Sequence, residues 1–389
     1  ENLTENQTLT PVVAATHRSS FRLFRTGHQA SNGIQQLAEN GGVPVLASEL
    51  AANNKVETVE VIGATPLPPG GSATSLLSTD RHHRRLSLAA MLICTNDGFA
   101  GRSSIRLPGA VGHERTFYAR AYDAGTETNT QAYVDLVPPC DSMGDATASN
   151  PDLAENGVVR RHAGIVDGTG DLNVATHGWE EPVMKITVER VRTYEVTVEN
   201  LTGGQPLTPT VLATHARWQG IFDEGHPAAN GVQQLAENGG VPVLAAELEG
   251  APGVGTVAVV GATPILPGSS ASAEVVVDDR YRRASLAGML VCTNDGFGGV
   301  DSLRLPRWVG ETAVAYGAAY DAGTETNTEA YIDLVPPCDG SGGSTESNPL
   351  LAEGGVVHGH TGIVGGADLA PDVHGWDGPV IKVTIKRTG

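Results

Sequence analysis

Hydrophobic and polar positions along this chain follow two periods. Residues 194–198 (YEVTV), 273–277 and 380–385 alternate or run β-branched between Gly and Pro punctuation, which predicts strands. Residues 32–50 follow a helical period instead, with Ile34, Leu37, Ala38, Val45, Leu46 and Leu50 as its apolar positions. Gly41, Gly42 and Pro44 interrupt that period, so it predicts two short helices, not one. Several strands with one short helical insertion make a mostly β chain, and at this length a β-sandwich.

The whole pattern occurs twice. The run QQLAENGGVPVLA at residues 35–47 returns unchanged at residues 233–245, an offset of 198. The same offset carries Cys94-Thr95-Asn96-Asp97-Gly98-Phe99 onto Cys292 and its successors, and YDAGTETNT at residues 122–130 onto residues 320–328. A period this long is a duplicated domain, not a solenoid unit. It predicts domains at residues 1–191 and 192–389. The copies differ at their starts: the second opens with the strand at residues 193–198, whereas the first begins at Glu1, the counterpart of Glu199. The first domain therefore lacks its first strand. A trimmed N-terminus, an excerpt from a longer array, and completion by a strand from another molecule all fit, and the last would exploit an open sheet edge.

Composition narrows the function classes. Lys and Arg number 25 against 44 Asp and Glu, a formal charge of −19, which repels nucleic acid over most of the surface. With 49 Gly, 23 Pro and 5% aromatic residues the chain is turn-rich and not helix-rich. No stretch approaches the roughly 20 apolar residues that cross a bilayer as a helix. Each copy holds two cysteines, Cys94 with Cys140 and Cys292 with Cys338. Equal pairs at equal spacing predict one disulfide per domain, worth roughly 4 kcal/mol each in the chain-entropy model, and an extracellular or cell-surface location. A zinc or redox pair is the rival reading, without a CxxC to support it. Asn2, Asn6 and Asn200 begin N-x-T sequons, candidates for glycosylation.

The acids that could carry chemistry sit in two loops. Asp97 lies in an Asn-Asp-Gly-Phe loop, and Asp123 and Glu127 in Asp-Ala-Gly-Thr-Glu; the second copy has Asp295, Asp321 and Glu325. Converging carboxylates with a close backbone approach at Gly suit a hard cation such as Ca²⁺, although the same turns also end ordinary hairpins. The order of Thr16-His17, the Asn-Asp-Gly-Phe loop, the Asp-Ala-Gly-Thr-Glu loop and a late His-Gly-Trp resembles the spondin N-terminal domain of F-spondin and of secreted prokaryotic proteins. Thr214-His215 opens the second set, so the resemblance covers the chain once per copy. It implies a C2-like β-sandwich holding one Ca²⁺ per domain through Asp97, Asp123 and Glu127, and through Asp295, Asp321 and Glu325. Glu127 and Glu325 stand where animal members often carry Asp.

Other candidates have plainer explanations. Paired histidines (His17/His215, His28/His226, His162/His360, His177/His374) follow from the duplication, and no HExxH accompanies them. There is no hydrolase elbow, phosphate-cradling loop or dinucleotide fingerprint, and the few aromatics do not suit a sugar-cleaving cleft, so an enzyme such as a secreted hydrolase is the remote alternative. The cluster Arg81-His82-His83-Arg84-Arg85, with Arg280, Arg282 and Arg283 in the second copy, forms a basic patch fitting an acidic partner or a solvated hairpin tip. The sequence thus predicts a secreted calcium-binding structural protein. It would self-associate head to tail by strand addition; the alternative is a monomeric adhesin that binds a cell-surface or matrix protein or a glycan.

Overall fold

A computed structural model describes residues 1–138, 140, 148–338, 343 and 346–389. The chain separates into two units, Glu1–Arg190 and Val191–Gly389. The first contains β1 (Val12–His17), α1 (Asn32–Asn40), α2 (Val43–Ala51), β2 (Val56–Ile62), β3 (Arg85–Met91), β4 (Gly98–Arg106), β5 (Glu114–Asp123), β6 (Arg160–Arg161), α3 (Val174–His177) and β7 (Met184–Glu189). The second contains β8 (Arg192–Asn200), β9 (Thr210–His215), α4 (Asn230–Asn238), α5 (Val241–Leu248), β10 (Val254–Val260), β11 (Ser270–Val277), β12 (Arg283–Met289), β13 (Gly296–Arg304), β14 (Thr312–Asp321), β15 (His358–Gly359), α6 (Pro371–His374) and β16 (Ile381–Arg387). The fold is mostly β with two antiparallel sheets per unit, as the alternation predicts.

In each unit one long strand serves both sheets. β14 pairs with β16 along residues 312–317 and with β13 along residues 318–321. One sheet therefore runs β11-β8-β16-β14 and the other β14-β13-β12-β9-β10. Tyr194, Val196 and Val198 of β8 meet Leu212, Leu286 and Val300 of the opposing sheet in a closed core. The helices cover the second sheet's other face: Val232, Leu235, Leu244 and Leu248 pack on Val211, Ala287 and Phe297. Gly41 ends α1 in the left-handed conformation (φ +62°), which fixes the break between the two helices as the pattern predicts. Ser31 caps α1 by accepting the Ile34 N–H at 3.3 Å, whereas Ala229 leaves the start of α4 without a side-chain cap.

The first unit repeats this plan with one strand fewer. β5 pairs with β7 along residues 114–119 and with β4 along residues 120–123. β7, the counterpart of β16, pairs with β5 alone among the named strands, and residues 72–79, the counterpart of β11, form no strand. A slot one strand wide is left where β8 lies in the other unit. Its foot is occupied: Glu1 exchanges two backbone hydrogen bonds with Lys185, each 2.9 Å, and the Asn2 N–H donates to Gly71 O at 2.9 Å. Leu77, Phe117 and Val188, which border the slot's core side, are only partly buried.

Disulfides join Cys94 to Cys140 and Cys292 to Cys338. Each packs in a small cluster of its own, the first with Leu136, Ile165 and Leu172. Two sequons have a different role from the expected one. Asn2 and Asn200 are fully buried, and their amide groups donate to Gln7 O and Leu67 O, and to Gln205 O and Ile265 O. Each Oδ1 also accepts from the backbone and hydroxyl of the Thr two residues on. The N-x-T pattern here writes a buried Asx turn, and neither amide is open to a glycan in the folded state. Asn6 is half-buried, donating to Gly178 O at 3.2 Å.

Candidate metal centre

The two acidic loops lie side by side because β4 and β5 are hydrogen-bonded neighbours whose adjoining ends pair Gly98 with Asp123. Ala124 N–H donates to Asp97 O at 3.0 Å, and Thr126 and Glu127 N–H groups donate to Asp97 Oδ2 at 2.8 and 3.2 Å. Gly125 (φ +70°) makes the turn, and a Cβ there would come within 2.6 Å of the Val158 backbone. The second copy reproduces this: Asp295 Oδ2 accepts from Thr324 and Glu325 at 2.7 and 3.0 Å.

Asp97 and Glu127 are buried with one oxygen each unspent. Asp97 Oδ1, Glu127 Oε2 and Asp295 Oδ1 have no hydrogen-bond partner, although their residues are almost fully enclosed. Burial, the neighbouring Asp123 and, more weakly, Glu39 push the Asp97 carboxyl up to about 6. Burial and then Glu39, Asp97 and Asp135 push Glu127 up to about 8. In the second copy burial and Asp321 raise Asp295 to about 6, and burial with Glu237, Asp295 and Asp333 raises Glu325 to about 7. Unpaired buried carboxylate oxygens among like charges are what a hard cation would relieve, so the donor set fits Ca²⁺.

The third predicted residue of each set is held differently. Asp123 Oδ1 accepts the Gly125 N–H, and Oδ2 accepts from Asn129 at 2.8 Å and pairs with Arg160 at 3.1 Å. Asp321 likewise accepts from Gly323 and Asn327, with His358 3.5 Å away in place of the arginine. Among the described residues, the acids of each trio do not draw to within 4.8 Å of one another as a set. The groups that do are the two disulfides with His177 and His374, whose sulfurs are already spent, and Glu57 with Asp80 and His83.

Sequence reading missed Glu39 and Glu237. Both are buried near the end of α1 and α4, where the helix dipole disfavours a carboxylate. Asn40 holds that helix end to Ser149, and the adjoining Asn150 donates its N–H to Glu127 Oε1 at 3.1 Å. The QQLAEN run gives no sign of this burial, since at about 3.6 residues per turn Glu39 points away from the apolar face of Ile34, Leu37 and Ala38. His17 and His215 are core residues satisfied by Ser87 and Ser285 and by backbone carbonyls. His83, expected at a solvated tip, is buried against Asp80 and Arg18.

A family model described as Spondin_N matches residues 3–151 and again residues 205–332. Spondin-2 of Rattus norvegicus is 25% identical over 154 residues, covering 37% of this chain and 46% of the relative. Spondin-2 of Homo sapiens is 26% identical over 154 residues with the same coverage. The match thus spans about half the length of either relative.

Proposed function

The chain belongs to the Spondin_N family, and on that footing we propose that it is an extracellular calcium-binding structural protein, a subunit of a filament or cell-surface assembly joined by β-strand addition. The observation that supports this reading is the edge of β7 turned away from β5, with which no other named strand pairs. β8 is the template for its occupant: an extended segment with apolar side chains at alternate positions, as Tyr194, Val196 and Val198 are in the second domain. Such a segment would hydrogen-bond to β7 on one side and to residues 72–79 on the other, and would complete the core beside Leu77 and Val188.

Calcium in this reading is structural, one ion per domain. Asp97 and Glu127 would hold it in the first and Asp295 and Glu325 in the second, with Asp123 and Asp321 bracing the loop beside them. The bound ion would supply positive charge where buried carboxylates now repel one another. Two disulfides support a location outside the reducing cytosol. No catalytic role is assigned.

Electron microscopy of the native material, with cross-linking mass spectrometry of mixed isotope-labelled and unlabelled protein, tests the reading. Filaments whose slot cross-links join heavy to light chains support it. One rival is a segment of the same chain that fills the slot in cis. Cross-links confined within single chains, with no filaments, would leave a monomeric adhesin or a matrix- or glycan-binding module.

A further inference from the structure

The second domain carries a surface that neither the cation sites nor strand addition uses. Two open clefts of about 440 and 510 Å³ adjoin there, both bordered by Arg282. Arg217, Trp218 and Arg280 line the first, and Arg307 and Trp308 the second. The two tryptophans are 72% and 65% exposed, so large apolar rings stand in water beside arginines. In a chain of formal charge −19 this local excess of cations is unusual.

The surface is built and not incidental. The Trp218 ring abuts Gly253 (φ +85°), where a Cβ would come within 2.5 Å of it. Trp308 sits in a turn closed by Glu311, whose carboxylate accepts the N–H groups of Arg307 and Trp308 at 2.7 and 2.9 Å. That acid, the one carboxylate lining the clefts among the described residues, gives its Oε2 to both backbone groups. The Arg307 guanidinium lies over the Trp308 ring at 4.8 Å. Among the described residues, Arg217, Arg280 and Arg282 form no ion pair.

Comparison of the copies separates this surface from the needs of the fold. The offset that preserves both acidic loops places Ser19, Ser20, His82, Gly109 and Ala110 opposite Arg217, Trp218, Arg280, Arg307 and Trp308. The first domain forms the counterparts of β9, β10, β12, β13, β14 and β16 without them. Only the second copy has both rings and the extra arginines.

We infer that this face of the second domain binds an acidic polysaccharide, a chain of sugar rings carrying carboxylate or sulfate groups. Guanidinium forks match both anions in a planar, two-bonded geometry. The exposed Trp218 ring and the side of the Trp308 ring away from Arg307 offer apolar platforms for sugar rings, which an acidic peptide does not require. Arg282, shared by both clefts, suits an extended ligand better than a single small anion.

Isothermal titration of the full chain with heparin and with polygalacturonate tests this and separates sulfate from carboxylate recognition; dextran and poly-glutamate serve as the neutral-sugar and acidic-peptide probes. Binding of either acidic polysaccharide, but not dextran, with quenched or shifted tryptophan fluorescence, is the expected result. Arg282→Ala should weaken it by about 10- to 100-fold, as loss of a charged hydrogen-bonding group does. Trp218→Ala and Trp308→Ala should each weaken it too, with the thermal melt unchanged because both rings are exposed. The inference fails if neither polysaccharide binds in about 50 mM salt. It also fails if poly-glutamate binds as tightly and the tryptophan variants bind like the parent, which would make the face a charge-only contact for an acidic protein.

Discussion

Removing calcium should destabilise the protein at pH 8 far more than at pH 5. In the ion-free fold Asp97 titrates near 6 against an ordinary 3.8, and Glu127 near 8 against 4.5. Both folded values are raised, so the stability these groups contribute is fully present below about pH 4 and is lost as pH rises through 6 and then 8. At about 1.4 kcal/mol per pH unit, charging Asp97 costs about 3 kcal/mol and charging Glu127 about 5 kcal/mol. Asp97 contributes to the Glu127 shift and Glu39 to both, so the costs overlap, and about 3 kcal/mol is the least expected in the first domain. For a domain of this size that is a fall of roughly 6 to 12 °C in melting temperature.

His162, pushed down to about 4 by burial, gives stability of the opposite slope, lost as pH falls below its ordinary 6.5. The assay is therefore the difference between calcium-loaded and chelated melting temperatures at each pH, in which that contribution cancels to first order. Calorimetry should also show proton release on binding. At pH 7 Glu127 is mostly protonated and Glu325 about half, so roughly one to two protons leave per chain. A chelated protein that melts at the calcium-loaded temperature at pH 8, or binding heats independent of buffer ionisation, would refute the cation assignment.

Other outcomes follow from single features. A peptide with the sequence of residues 192–198 should enter the slot above Glu1 and raise the first domain's melting temperature in scanning calorimetry. Its three buried side chains contribute roughly 6 kcal/mol before ordering costs, and replacing the valine that corresponds to Val196 by Asp should abolish the effect. Gly125→Ala must push a Cβ into the Val158 backbone, so calcium affinity by titration should drop at the first site and persist at the second. Ala229→Ser should supply the cap that α4 lacks and stabilise the second domain by about 1 kcal/mol in denaturant melts, with Ser31→Ala costing the first domain a similar amount.

The sequence made the duplication, the strand-rich plan and the broken helix legible, because each is written in local period and punctuation. Gly41 and Pro44 mark the break directly. The proximity of Asp97 to the loop of Asp123 followed from motif order, but the orientation of the acids did not. Arg160 lies 37 residues from Asp123 in the chain and reaches it only because β6 pairs with β5. Glu39 looked like a polar helix position, since its burial depends on the loop that Asn40 ties down. Asn2 and Asn200 were misread because a three-residue pattern specifies a sequon and a buried Asx turn equally well. Trp218 and Trp308 gave no sign as isolated aromatics, because Arg282 joins their clefts only in three dimensions.

The disulfide between Cys94 and Cys140 closes a covalent ring of known membership. Asp97, Asp123, Glu127 and Asp135 all lie within its 46-residue span, and the second domain repeats the arrangement. Even in a fully unfolded chain these carboxylates are tethered at high effective concentration, so part of the entropy of gathering them is spent when the ring closes. Reduction would open that ring and dilute the ligands in the denatured ensemble. On the proposed calcium reading, oxidation would be coupled to cation capture during refolding, and oxidised chains should recover the acidic loops in calcium faster than reduced ones.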